Sequence, residues 1–164
     1  MNSDIAFALN GNRVAITVEP RELLGHVLRE RLGCRGAHLA CGQGICGACT
    51  VLLDGQAVRS CLLLAVQAHG HQIQTISALA PGEGPLHPLQ VALKEAGAIQ
   101  CGYCTAGIVL STLSYLRETS APSREDMRQA LAGHICRCTG YTAILDAVMQ
   151  YAQRHAHTSE QVDP

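Results

Sequence analysis

Cys41-Gly42-Gln43-Gly44-Ile45-Cys46-Gly47-Ala48-Cys49 is the stretch on which the reading of this chain turns. Its cysteines stand at C-x4-C-x2-C, and Cys61 follows Cys49 after eleven intervening residues. That order is the plant-type [2Fe–2S] spacing. The interleaved glycines have a physical reason. Four thiolates around two irons and two sulfides leave an anionic cluster, and a buried anion needs hydrogen-bond donors. Side-chain donors are few here, so backbone N–H groups must turn inward through tight turns with positive φ. Gly42, Gly44 and Gly47 lie between the first three ligands, Ala48 is small, and Cys61 closes the cage from beyond a hairpin. A structural zinc site also takes four thiolates, but its usual frame is two C-x2-C pairs.

The surroundings agree with a cluster-carrying fold. The chain has 164 residues, 48% of them hydrophobic, enough for one domain or two small ones. Net charge is −1, Lys94 is the one lysine, and aromatics are limited to Phe7 and four tyrosines. That balance argues against a nucleic-acid footprint and against a stacking platform for bases. No apolar run reaches the length of a membrane span, and Met1-Asn2-Ser3-Asp4 starts no export signal, so the expected compartment is the cytoplasm. An odd set of nine cysteines in such a chain is a poor disulfide framework and a good metal-binding one.

Before the cysteine loop, Ile5–Leu9 and Arg13–Val18 are strand candidates around the turn Asn10-Gly11-Asn12. Leu23, Leu24, Val27 and Leu28 recur at helical spacing, so a helix is expected over 21–32, ended by Gly33. After the loop, Thr50–Leu53 and Val58 flank Asp54-Gly55 as a second hairpin, and Ile73–Ile76 reads as a closing strand. A small twisted sheet with a packed helix is the simplest architecture. Ala80-Pro81-Gly82-Glu83-Gly84-Pro85 has linker composition. Beyond it the period becomes 3.6, with helices expected over 87–97, 104–118, 123–132 and 140–155; Ser123 with Asp126 fits an N-cap pattern. Four short helices with short loops suggest an antiparallel bundle. The expected division is 1–79, 80–156 and a polar, frayed tail at 157–164.

The helical part carries its own cysteines. Cys101 and Cys104 form C-G-Y-C, and Cys136 and Cys138 form C-R-C. Each pair falls at the start of an expected helix, where free N–H groups and the dipole favour an anion. Thr105 stands where a c-type haem motif needs His, and the βαβ context of a thioredoxin-like pair is missing. Spacing alone leaves a second iron–sulfur cluster and a zinc site both open.

Taken together, Cys41–Val51, Gln100-Cys101-Gly102-Tyr103-Cys104-Thr105 and Cys136-Arg137-Cys138-Thr139-Gly140-Tyr141 resemble the iron–sulfur small subunit of the xanthine oxidase family of molybdenum hydroxylases. Subunits of this type occur in carbon monoxide dehydrogenase, isoquinoline oxidoreductase and 4-hydroxybenzoyl-CoA reductase. The resemblance covers residues 4–155. It implies an α+β chain: an N-terminal β-grasp, plant-type ferredoxin domain, then a C-terminal four-helix bundle with a second [2Fe–2S] cluster. Cys41, Cys46, Cys49 and Cys61 would hold the first cluster, and Cys101, Cys104, Cys136 and Cys138 the second.

The resemblance further implies a large partner subunit with molybdopterin, which Gln100 contacts and near which Cys138 lies. A FAD-binding medium subunit, a cytochrome or another acceptor would take the electrons onward. The implied role is electron transfer, one electron at a time, with substrate chemistry left to the partner. The alternatives are a free-standing two-cluster ferredoxin and a two-zinc structural module. Four positions depart from the family pattern: Ala40 for Gly, His38 for Lys, Ala106 for Pro and His134 for Asn. Protonation of His134 would make its charge vary with pH. Cys34 lies outside both motifs and is expected to be a free thiol; the eight histidines, among them His69, His71, His155 and His157, show no ligand-like spacing. Arg137, between two ligands, is a candidate for pairing with the cluster or a partner.

Overall fold

Asn10 and Gly11 turn the chain back on itself with φ of 50° and 80°, the left-handed pair that a two-residue hairpin requires. They join β1 (Ser3–Leu9) to β2 (Asn12–Val18), with Leu9 opposite Asn12. Asp54 and Gly55 repeat the device at 48° and 85° between β3 (Thr50–Leu53) and β4 (Gln56–Arg59). The structure is a computed structural model that describes residues 2–80 and 84–155. The tail expected at 157–164, and Pro81, Gly82 and Glu83 of the expected linker, lie outside the described residues.

The strands form one sheet in the order β2-β1-β5-β3-β4. β5 (Gln72–Gln74) sits at its centre, parallel to β1 and antiparallel to β3. It is shorter than the expected 73–76 strand because the Asn10 side chain accepts from the Thr75 amide at 2.8 Å and draws the chain out of the sheet. Ile76–Ala78 then makes a single 3₁₀ turn.

The helix expected over 21–32 starts later and is wound differently. Leu23 bridges to Leu64 as extended backbone, and the Leu24 and Gly25 amides donate to the Leu63 and Ser60 carbonyls at 2.7 and 2.9 Å. Helical winding therefore begins only at α1 (Leu24–His26), which runs on as a π-helical turn, Val27–Arg31. Leu24, Val27 and Leu28 pack with Ile5, Phe7 and Ile73 as the core beneath the sheet.

Four helices follow: α2 (Pro88–Glu95), α3 (Thr105–Glu118), α4 (Arg124–Ala130) and α5 (Thr142–His155). Each is shorter than its expected span. His87 caps α2 by accepting from the Leu89 amide, and Gly97 turns left-handed just beyond it. Gly140 and Tyr141 are both left-handed, at 68° and 70°, so α5 cannot start before Thr142.

α3 is the spine of the molecule, and every residue from Ala106 to Ser114 is buried. One side packs into the helical core through Ile108, Val109 and Leu113. The other lies on the β3–β4 hairpin, where the Ala57 amide donates to Ser114 Oγ at 3.0 Å and Gln56 Nε2 to Glu118 at 2.7 Å. A helix covered on both sides is apolar nearly all round rather than striped. No helix among the described residues is long and apolar enough to cross a membrane.

Ser123 and Asp126 form the anticipated cap: Ser123 Oγ accepts from the Asp126 amide at 3.1 Å, and the Asp126 carboxylate accepts from the Ser123 amide at 2.9 Å. Ser123→Ala should lower stability by about 1 kcal/mol, the usual cost of losing an N-cap. The check is a denaturant titration alongside the visible spectrum: the midpoint falls and the spectrum is unchanged.

Candidate metal centres

Gly42, Gly44 and Gly47 take φ of 65°, 75° and 77°, so the loop between the first cysteines coils with its amides inward. The Gly44 amide points at Cys61 Sγ (3.3 Å), and the Gln43 and Cys46 amides at Cys41 Sγ (3.4 and 3.5 Å). At Gly44 a Cβ would fall 2.4 Å from the Leu62 side chain, which would have to move aside, and the left-handed backbone there itself favours glycine. β3 and β4 deliver the rest of the set: Cys49 immediately precedes β3, and Cys61 lies just past β4. Both of these are buried, whereas Cys41 and Cys46 are half-buried.

The electrostatics of this set are uneven. The Cys46 and Gln43 amides draw the Cys41 thiol down to about 6. Burial pushes the Cys61 thiol up to about 11, reinforced by its neighbour Cys49. The loop side therefore favours thiolate, and the buried side needs a cation to hold its sulfur deprotonated.

Cys104 caps the N-terminus of α3, with Cys101 one turn before it. Cys136 and Cys138 lie in the loop ahead of α5, two residues further from it than the expected start at 140 would put them, because left-handed Gly140 and Tyr141 intervene. That loop is braced internally: the Cys136 amide donates to Tyr141 Oη at 2.9 Å, and Thr139 Oγ1 lies 3.1 Å from Cys136 Sγ. Cys138 Sγ is 3.6 Å from Cys101 Sγ, and Cys104 meets Cys136. Burial pushes the Cys104 thiol up to about 12, while Cys101 and Cys138 are exposed.

In each half the thiols meet in twos: Cys41 with Cys46 and Cys49 with Cys61, then Cys101 with Cys138 and Cys104 with Cys136. Among the described residues no three Cys, His, Asp or Glu side chains converge on a single-ion site. Two pairs side by side are the donor layout of a binuclear cluster, with two thiolates for each iron, and the inward amides supply what its sulfurs accept. Both sets fit a [2Fe–2S] group.

Gln100 is exposed and donates from Nε2 to the Cys138 carbonyl at 3.2 Å. Arg137 is exposed beside the second set. Cys34 lies apart from both sets, 3.6 Å from Thr75 Oγ1 at the edge of the first core. His69 accepts from the Ala6 amide and His71 pairs with Asp54, both away from the thiols, and His157 lies outside the described residues.

The two sets are interlocked. The Ile135 amide, one residue before Cys136, donates to the Cys46 carbonyl at 2.9 Å. A Cβ on Gly107 would lie 2.2 Å from the Gly47 carbonyl oxygen, and one on Gly47 would lie 2.6 Å from that of Gly133. His38 stacks on Tyr103 at 4.8 Å, and Tyr103 Oη donates to the Leu39 carbonyl at 2.6 Å. A cavity of about 180 Å³ is lined from both sides, by Ala40, Cys46 and Ala48 and by Cys101, Cys104 and Cys136.

His134 departs from its expectation. It is 2% exposed, wedged between the halves, and burial together with the charge of Arg59 holds its pKa down to about 4. The ring therefore stays neutral through physiological pH instead of switching there. Its partners Thr50, Arg59 and Ser111 carry no motif, and only the fold brings them together.

Gly107→Ala should force the Gly47 loop away from α3. Overpacking of this kind costs about 1–3 kcal/mol. A denaturant titration should register that loss, and visible circular dichroism should change for the first thiol set although the substitution sits beside the second. Unchanged dichroism would show that the loops are not interlocked.

Comparison with known proteins agrees with this geometry. The 2Fe-2S iron-sulfur cluster binding domain family matches residues 7–75, and the [2Fe-2S] binding domain family matches residues 75–149. The chain is 45% identical to the nicotine 6-hydroxylase small subunit of Paenarthrobacter nicotinovorans, over 89% of this chain and 87% of that protein. It is 43% identical to the caffeine dehydrogenase subunit gamma of Pseudomonas sp. (strain CBB1), over 88% and 87%. A chain of quinoline 2-oxidoreductase from Pseudomonas putida 86 superposes with a TM-score of 0.88 at 44% identity, covering 94% of this chain and 96% of that one. Two thiol sets laid out for binuclear clusters, matched at both domains and along the whole length of small subunits, leave one conclusion: the chain belongs to the family of [2Fe–2S] iron–sulfur small subunits of the molybdenum hydroxylases.

Proposed function

We propose that this chain is the electron-transfer subunit of a molybdenum-containing hydroxylase or dehydrogenase, relaying electrons singly between a large molybdopterin-binding partner and FAD or another acceptor. The observation that carries the reading is the pair of complete thiol foursomes set in interlocked loops. When bound, each [2Fe–2S] cluster takes up and releases one electron. In this assignment Cys41, Cys46, Cys49 and Cys61 hold the first cluster, and Cys101, Cys104, Cys136 and Cys138 the second. Residues 1–79 form a plant-type ferredoxin domain of β-grasp type, and 80–156 a four-helix-bundle cluster domain.

The chain's residues tune and aim this relay. The Gln43, Gly44 and Cys46 amides stabilise negative charge on the first set without fixing a counter-cation beside it. Gln100 holds the Cys138 carbonyl with its amide N–H, which leaves its Oε1 for a partner's polar group such as the pterin. Tyr103 and Ile135 are 41% and 50% exposed beside exposed Cys101 and Cys138, an apolar rim suited to a docked subunit rather than a free carrier. Ile45 and Leu62, the corresponding exposed residues at the first set, are assigned to the acceptor side. Eight thiols committed to iron suit a reducing compartment, and we place the chain in the cytoplasm.

Purified chain should hold iron and acid-labile sulfide at about four each, two per cluster. About two of each in fully loaded protein would remove one cluster. Gln100→Ala should leave both contents unchanged, since it supplies no thiolate. In the assembled complex it should slow substrate-driven reduction of the clusters in stopped-flow. An unchanged rate at full loading would take Gln100 off the molybdenum-facing side.

A further inference from the structure

We propose that His134 is a positioning residue, a buried pin that locks the second cluster loop to the first and so sets the separation across which the electron crosses. The proposal rests on the reading of both thiol sets as [2Fe–2S] sites. It concerns what holds those sites at a constant distance.

The imidazole stands where four ligand-bearing segments meet. Nε2 lies 2.9 Å from Ser111 Oγ, 3.2 Å from Arg59 Nη1 and 3.4 Å from Thr50 Oγ1. Thr50 follows Cys49, Arg59 lies two residues before Cys61, Ser111 is on the helix that Cys104 caps, and His134 itself lies two residues before Cys136. The contacts close on one another. Arg59 also donates to Thr50 Oγ1, and its Nη2 donates to the Gly133 carbonyl at 3.0 Å; Thr50 Oγ1 donates to the Gly47 carbonyl at 2.7 Å. One polar cluster thus ties the first cysteine loop, the β3–β4 hairpin, α3 and the second cysteine loop.

The chemistry of the partners fixes the state of the ring. A guanidinium only donates, so Nε2 faces Arg59 as a lone pair and the proton sits on Nδ1. Nδ1 is buried and has no acceptor among the described residues. All of the ring's hydrogen bonding therefore lies on its Nε2 edge, which faces Arg59 and Thr50 of the sheet half together with Ser111 of α3. The ring carbon beside Nε2 is closed in by backbone: a Cβ on Gly47 would lie 2.6 Å from His134 Cδ2, and one on Gly107 3.0 Å from it. Both glycines leave room for the ring alone. Packed at Cδ2 and bonded at Nε2, it has no freedom to slide, and neither has the loop that carries it.

The test uses paramagnetic resonance of the fully reduced, assembled complex. Dipolar coupling between two reduced clusters falls with the cube of their separation, so it reads the pin directly. His134→Leu removes the acceptor and keeps the bulk. His134→Gln returns an acceptor at the reach of Nε2. Arg59→Met removes the donors that reach His134 and Gly133 from the sheet half, and it decides the matter if His134→Leu fails to assemble. Both cluster signals and full iron content are expected in Arg59→Met and His134→Gln. The intercluster splitting should be lost or narrowed in His134→Leu and Arg59→Met, and kept in His134→Gln. Wild-type splitting in Arg59→Met, and in His134→Leu where it assembles, would overturn the pin. Fewer than two cluster signals in the wild-type complex would instead overturn the two-cluster reading, so the two failures are distinguishable.

Discussion

Gly107 and Gly47 come together so closely that a methyl group on Gly107 would sit 2.2 Å from the Gly47 carbonyl oxygen. Gly47 belongs to the loop between Cys46 and Cys49; Gly107 lies in the first turn of the helix that Cys104 caps. This contact makes the sheet half and the helical half a single body. α3 can lie flat on the β3–β4 hairpin only because two residues without side chains meet there. The Ile135–Cys46 hydrogen bond, the Tyr103–Leu39 hydrogen bond and the buried His134 all occupy positions that this approach creates. The fold is a device for holding two thiol cages at one separation.

Charge handling follows the same logic. Each cage must accept an anionic group in a partly desolvated place, in a chain with one lysine. The first set answers with left-handed glycines that aim amides at sulfur, and the second with a helix N-terminus and a tightly braced loop. Fixed dipoles stabilise charge with little reorganisation when an electron arrives, which suits transfer better than mobile side-chain cations would. In the proposed assignment, Cys61 and Cys104, the sulfurs pushed furthest above the ordinary thiol range, are where the metal's own charge would matter most.

Local signals made much of this legible in the sequence. Asn10-Gly11 and Asp54-Gly55 mark hairpins because only a left-handed pair closes them, and Ser123 with Asp126 marks a cap because the two side chains serve each other's amides. The spacing of Cys41, Cys46, Cys49 and Cys61 with its glycines pointed to the first cage, whereas spacing left the second open and the family resemblance supplied it. Long-range effects stayed hidden. The parallel pairing of β1 with β5 joins segments more than sixty positions apart. The late start of α1 comes from carbonyls at Ser60 and Leu63, and the displacement of Cys136 and Cys138 from the helix start comes from left-handed Tyr141, a residue type with no preference for that state. His134 was visible as an unusual residue near the second cage, yet its neutrality comes first from its burial and then from Arg59, 75 positions away.

In the proposed function one rigid chain holds two separately reducible clusters. A coulometric reductive titration of the purified holo-subunit, followed in the visible spectrum, measures this most directly. Two electrons per chain, taken up in two one-electron steps with bleaching at each, is the result expected of two [2Fe–2S] sites. Uptake of a single electron, or a colourless chain that takes up none, would contradict it.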